Sequence, residues 1–351
     1  MPSYVSMPSI ALPDHVVTTD DICADISEHH GDNPRLGSIL RVVRATGVHT
    51  RRFTRSLRSP TVAGTATIGE RNRVAFADSA RLAEEAARAA LATAGLTPAD
   101  VDCVVTSHTT SWAVPGLDVH LTGALGLRPD VRRISMATLG CVGGAQALIR
   151  AAREVRADPG SRVLVVAAEA ISTIYHHGDT TLESMIYKAL FGDSAGACVV
   201  TDTPLGPGLR IDDTWEYWLP DSHDRYWGRL DDAGLHFDST RKAANAAGDV
   251  MPALHDWLHA GRTTPTPPRW AAIHPGGPRI LDDVARGLDV EPKVLRHSWS
   301  SLEENGNLGG VAVLDVLART HDDPPGDGEE GLLLAFGPGF VAASCRGTWC
   351  A

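Results

Sequence analysis

The sequence predicts an α/β protein made of two similar halves, on three observations. Short β-branched and aliphatic runs alternate with amphipathic helical stretches along most of the chain, the order expected of strands joined through helices into a parallel sheet. Those runs lack polar alternation, as strands covered on both faces require. The alternation begins afresh near residue 205, so the halves are expected to be 1–205 and 206–351.

The elements follow in order. Ser79 to Thr93 reads as an Ala-rich helix, with Asp78 or Ser79 as cap, a Glu84–Arg88 pair one turn apart and Gly95 as stop. "VDCVVTSH" (101–108) and "RVLVVAAEA" (162–170) are buried strands. Between them, "TLGCVGGAQALIRAARE" (138–154) is a glycine-bearing turn that opens a helix, with Val142, Ala145, Leu148, Ile149, Ala152 and Val155 at helical spacing. "LESMIYKAL" (182–190) is a helix and "AGACVVTD" (195–202) a strand. In the second half, "RWAAIHPG" (269–276) is a strand, "PRILDDVARGL" (278–288) and "NLGGVAVLDVLA" (307–318) are helices, and "GLLLAFGPG" with "FVAASCRG" forms a terminal strand pair. "TTPTPP" (263–268) and "DDPPGDGEEG" (322–331) are loops, because Pro and Gly forbid regular structure there.

Composition narrows the function. A chain of 351 residues with net charge −11 is not a general nucleic-acid binder, although a local basic patch for a phosphate-bearing ligand remains open. Six cysteines without scaffold or CxxC spacing indicate a reducing, cytoplasmic setting. No charged-then-apolar leader opens the chain, and no apolar run nears the ~18 residues of a membrane span. A soluble intracellular protein with no membrane or nucleic-acid partner is expected.

Three polar residues share a position type. Cys141, His274 and Asn307 each lie just before a predicted helix, where α/β proteins gather ligands at the carboxyl ends of parallel strands. A helix N-terminus lowers a thiol's pKa, and Cys with His and Asn suits acyl transfer: a nucleophile and two donors to an oxyanion. Singly, each has a plain reading: a small core cysteine, a satisfied strand-end histidine, a helix cap.

The surroundings of these three carry a resemblance. "IHPGGPRIL", "NGNLGGVAVLDVL" and "AFGPGF", in that order after a Cys-bearing helix mouth, resemble the type III polyketide synthases, the chalcone synthase-like branch of the thiolase fold. "ALFGDSAGA" and "RVVRATGVHTRR" fit the same family, and the likeness runs from about residue 9 to the C-terminus. The resemblance implies a homodimer of duplicated α/β halves in five layers, αβαβα. It implies no cofactor, with acyl-CoA and malonyl-CoA as substrates. Cys141, His274 and Asn307 fall at the family's triad positions, Phe191 and Phe237 at its gate, and Thr173 at a cavity-lining position. Arg41, Arg44, Arg51 and Arg52 fall in the stretch resembling the coenzyme A entrance, a solvated basic face being the plain reading.

The chain departs from the pattern at Gly309-Gly310, where the family usually has two serines. It also lacks the acidic residue after the "GPG" loop and is rich in aromatic residues over 214–227. Gly309 and Gly310 imply either closer packing of the halves or extra room beside the thioester. Rival readings are a ketoacyl synthase III-like enzyme performing one condensation on a carrier protein, a non-catalytic acyl binder, and a serine esterase using "GDSAG" (192–196). The last needs a strand before the serine and a helix after it, and here the order is inverted. His29-His30 and His176-His177 are adjacent pairs, and neighbouring residues rarely point at one ion. Neither pair is expected to bind metal, and the second is placed near the candidate site.

Overall fold

The first half of the chain runs β1 (Ser3–Val5), β2 (Ser9–Ala11), β3 (His15–Thr18), α1 (Thr19–His29), α2 (Leu36–Arg44), β4 (Thr50–Phe53), α3 (Pro60–Ala63) and α4 (Ile68–Thr93). It continues through β5 (Cys103–His108), α5 (Leu117–Leu125), β6 (Arg132–Ala137), α6 (Gly143–Ala157), β7 (Val163–Glu169), α7 (Leu182–Leu190) and β8 (Ser194–Thr201). The second half has β9 (Gly208–Trp218), β10 (Tyr226–Asp231), β11 (Gly234–Ser239), α8 (Ala246–His259), β12 (Trp270–Ile273) and α9 (Pro278–Gly287). It closes with α10 (Arg296–Asn305), α11 (Ala312–Thr320), β13 (Glu330–Gly337) and β14 (Val341–Cys350). The computed structural model describes residues 2–261 and 266–351, so the expected loop at 263–268 lies partly outside the described residues.

Side-chain alternation builds the layers. Successive strand residues face opposite ways, and each fully apolar strand is covered twice. Cys103, Val105, Val163, Val165 and Ala167 face inward onto α6 and α11, as do Leu333, Ala335, Ala343 and Cys345 from the second half. On the outer face, Val104, Leu164 and Val166 meet α4 and α5 through Leu82, Ala86 and Leu121. Ala271, Ile273, Leu332 and Leu334 meet α8 and α9 through Leu254, Leu281 and Val284. Two buried helices thus lie between two half-sheets, each backed by further helices: five layers, the thiolase-like arrangement.

The half-sheets are continuous, in the order β12-β13-β14-β9-β1-β8-β7-β5-β6, with β2 added on β8. Within this sheet, among the described residues, the parallel strand pairs are β5–β6, β5–β7 and β12–β13. The expected parallel sheet is therefore mixed, because β8 and β14 return antiparallel to β7 and β13. A strand-like run states no direction, so its sequence could not disclose this.

The first helix is also longer than expected. α4 starts at Ile68, with Thr67 accepting from Glu70 N–H. Asp78 is not a cap: it lies inside the helix and holds Arg55 through two 2.9 Å hydrogen bonds. The six cysteines are free thiols, and no helix among the described residues is long and apolar enough to cross a membrane.

Candidate active site

Cys141 sits in the turn Gly140–Val142 that feeds α6. The turn is pressed so closely between neighbours that two glycines are obligatory. A Cβ on Gly140, whose φ is +57°, would lie 2.7 Å from Pro338, and one on Gly144 would lie 2.1 Å from the carbonyl oxygen of Gly310.

His274 follows β12, and its N–H donates to the Leu334 carbonyl at 2.8 Å. Asn307 is held across the halves: its N–H donates to the Leu190 carbonyl at 2.8 Å, and its carbonyl accepts from Gly192 N–H at 3.1 Å. Phe191 and Asn307 form an isolated parallel bridge.

These backbones bring the three side chains together in the interior. Asn307 Oδ1 accepts from Gly309 N–H at 2.9 Å and lies 3.0 Å from His274 Nε2. An amide oxygen only accepts, so His274 carries its proton on Nε2. The Cys141 sulfur lies beside the same amide, 3.8 Å from Asn307 Nδ2 and 3.9 Å from Oδ1. His274 Nδ1 has no partner.

Burial overrides the helix-mouth expectation for the thiol. Desolvation pushes the Cys141 pKa up to about 12, despite the Asn307 contact. Burial likewise pushes His274 down to about 4. The resting pair is a neutral thiol and a neutral imidazole, with the Asn307 amide in contact with both. Glu169, at the end of β7, is buried and pushed up to about 7, its Oε2 accepting from Thr109 and Thr110 N–H.

A cavity of about 120 Å³ opens on the three, walled by Tyr187, Phe191, Tyr226, Ile280, Phe336 and Phe340 among others. Phe191 packs on Phe237 (ring centroids 5.9 Å) and on Tyr187 (5.6 Å), and Tyr226 stacks on Phe237 at 5.6 Å. The two tyrosines were not singled out from sequence. Tyr226 belongs to the aromatic-rich 214–227 stretch, and Tyr187 lies one helical turn before Phe191.

Other expected site residues are placed elsewhere. Thr173 does not line the cavity; its hydroxyl donates to the Ala170 carbonyl at 3.0 Å. Gly309 and Gly310 do not line it either. Gly309 has φ +60°, with Ile171 2.9 Å from where a Cβ would be, and Gly310 backs onto Gly140 and Gly144. They serve close packing, and the extra-room reading is withdrawn. Arg51 is fully buried and donates to the Val17 and Ala189 carbonyls and the Thr19 hydroxyl, so it ties β4 in place and cannot meet a phosphate. Arg52 reaches the Pro13 carbonyl at 3.5 Å. Arg41 and Arg44 are exposed on α2, Arg41 bonded to Ser38 and Arg44 paired with Asp20. His176 stacks on His236, the neighbour of Phe237, at 4.5 Å. Ser194 is a buried β8 residue whose hydroxyl has no partner, so the esterase reading fails for want of a base.

Residues 11–204 match the family of chalcone and stilbene synthases, N-terminal domain, and residues 211–345 match its C-terminal domain. The chain is 32% identical to a 1,3,6,8-tetrahydroxynaphthalene synthase from Streptomyces griseus, over 97% of this chain and 91% of the relative. It is 33% identical to a phloroglucinol synthase from Pseudomonas fluorescens, over 99% and 100%. Among solved structures, the 1,3,6,8-tetrahydroxynaphthalene synthase from Streptomyces coelicolor superposes with TM-score 0.94 at 30% identity, covering 99% of both chains. Germicidin synthase from the same species superposes with TM-score 0.93 at 32% identity, covering 99% of this chain and all of that one. The chain belongs to the chalcone and stilbene synthase family and is a type III polyketide synthase, a transferase that condenses malonyl-CoA decarboxylatively on the thiolase fold.

Proposed function

We propose that Cys141 is the nucleophile that takes the starter acyl group, and that His274 and Asn307 stabilise the enolate that extends it. The supporting observation is the Asn307 amide lying between the Cys141 sulfur and His274 Nε2. In loading, sulfur bonds to the thioester carbonyl, the bond to coenzyme A breaks, and the Cys141 proton leaves with the coenzyme A thiol. In extension, the malonyl C–C bond breaks to release carbon dioxide, and its electron pair forms an enolate. His274 Nε2–H and Asn307 Nδ2–H turn toward that oxygen, donors of a kind that contribute about 10²–10³ in rate. The enolate carbon then bonds to the acyl carbonyl, the C–S bond to Cys141 breaks, and the sulfur leaves as thiolate and takes a proton from solvent to regenerate the thiol.

A neutral resting thiol suits this reading, since nothing ionises until substrate arrives. Phe191, Tyr187 and Tyr226, with Phe237 packed behind them, form the wall past which a growing chain moves, and Arg41 and Arg44 are the basic groups offered to coenzyme A. The division of labour is between 1–205, which supplies the nucleophile, and 206–351, which supplies the donors. Coenzyme A is the acyl carrier, with a carrier protein as the alternative. A homodimer is supported by exposed Trp112, Val114 and Val119.

The test is incubation with an acyl-CoA panel followed by peptide mass analysis. One acyl mass on the Cys141 peptide, absent in Cys141→Ala, is expected; label that persists in that variant sinks the assignment.

A further inference from the structure

Away from the cavity, three side chains with metal-binding chemistry meet where α1 ends. His29, in its last turn, stacks on His177 with ring centroids 3.6 Å apart. Asp25 faces both rings, its Oδ1 3.2 Å from His177 Nε2 and 3.6 Å from His29 Nδ1. One ligand atom from each of the three lies within 4.8 Å of the others. Adjacent histidines do not share an ion here; the fold takes one member from each of the two pairs.

We propose that Asp25, His29 and His177 form a binding site for a divalent late first-row metal such as zinc. Two imidazoles and a carboxylate are the donor set such ions take. Metal–ligand bonds of ~2.0–2.2 Å at tetrahedral angles set ligand atoms about 3.3 Å apart, and the Asp25–His177 separation is already 3.2 Å. Partners outside the three orient them. The Tyr175 hydroxyl donates to Asp25 Oδ2 at 2.6 Å, which leaves Oδ1 for the ion. His29 Nδ1 lies 2.9 Å from the Asp25 carbonyl, a backbone contact of the kind that fixes the orientation of a ligating imidazole ring.

Entry is open, because His29 is 32% exposed and borders a surface groove that includes Glu28 and Asp32. Two carboxylates at its rim attract a cation. Among the basic groups nearby, Arg35 shares the groove, Arg58 lies 4.0 Å from Glu28, and Lys188 sits over the Tyr175 ring, bonded to the Asp179 carbonyl at 3.1 Å. An ion here would clamp α1 to the segment that leads into α7, the helix carrying Tyr187.

The test uses the metal-free full-length protein titrated with zinc by calorimetry and with cobalt by visible d–d absorption. One equivalent per chain is expected, with binding weakened more than tenfold in His29→Ala and in His177→Ala. Tyr175→Phe should cost roughly tenfold, as for an outer partner of a ligand. The His255→Ala/His259→Ala variant, which removes a second close pair on α8, should bind as before. His29 is partly exposed, so His29→Ala decides the matter even if His177→Ala does not fold. Absence of binding, survival of binding in His29→Ala, or its loss in the α8 variant overturns the proposal.

Discussion

His274 donates from Nε2 to Asn307 Oδ1 over 3.0 Å, and this fixes the amide beside the Cys141 sulfur, which lies 3.8 Å from Nδ2 and 3.9 Å from Oδ1. One hydrogen bond therefore orients both donors. Asn307→Asp keeps the acceptor and removes the Nδ2 donor. Carbon dioxide release from malonyl-CoA should fall about 10²–10³-fold, with acyl loading on Cys141 largely spared. Equal loss of both, followed by carbon dioxide release and intact mass, would contradict the assigned role.

Two buried groups should bend the stability profile in opposite directions. His274, held at about 4, stays neutral where an unfolded histidine protonates. Its contribution is complete above pH ~6.5 and is lost as pH falls toward 4, up to about 3 kcal/mol. Glu169 is raised to about 7, so its contribution is complete below pH ~4.3 and is lost as pH rises through 7. Glu169→Gln should accordingly raise Tm at pH 8 and change it little at pH 4, read by circular dichroism. A larger gain at pH 4 would reverse the sign and refute the argument.

The glycines between the halves should resist substitution. Gly144→Ala drives a methyl into the Gly310 carbonyl, and Gly309→Ser combines φ +60° with a clash on Ile171. Each should cost about 1–3 kcal/mol and slow every starter alike. A Gly309→Ser enzyme with unchanged Tm and selective loss of bulky starters would restore the wider-pocket reading.

Arginines in one sequence stretch should behave as two kinds. Arg51→Met strands buried carbonyls that it now satisfies, at about 1–3 kcal/mol for each orphaned group, and should lower Tm sharply. Arg41→Ala/Arg44→Ala should leave Tm and kcat unchanged and raise KM for CoA substrates severalfold, less so at high salt. An unchanged KM removes these two from the coenzyme A entrance.

The candidate site was more legible than its chemistry. Cys141, His274 and Asn307 each stand at a helix mouth, and turn residues around them betray that position in the sequence. Phe191, which lines the cavity, was visible through its motif, whereas Phe237 packs behind it, against Phe191 and Tyr226. Burial was not: the same backbone that points a positive helix end at Cys141 also seals it from water, and desolvation wins. Arg51 failed for the same reason, since nothing in "HTRR" tells the buried arginine from the half-buried Arg52. Tyr187 lies in an ordinary amphipathic helix, and only its packing against Phe191 marks it. The Asp25–His29–His177 grouping joins α1 to a segment far along the chain, a closeness that no local pattern encodes.

The bridge between Phe191 and Asn307 also sets a clock on the growing polypeptide. Cys141 leaves the ribosome long before Asn307, and at ~5–20 residues per second the interval is about 8–33 seconds. Throughout it the first half can fold around a thiol whose donors do not yet exist. On the proposed roles, malonyl decarboxylation therefore waits until the backbone at Asn307 has joined residues 190–192, whereas the thiol that takes the starter is made with the first half.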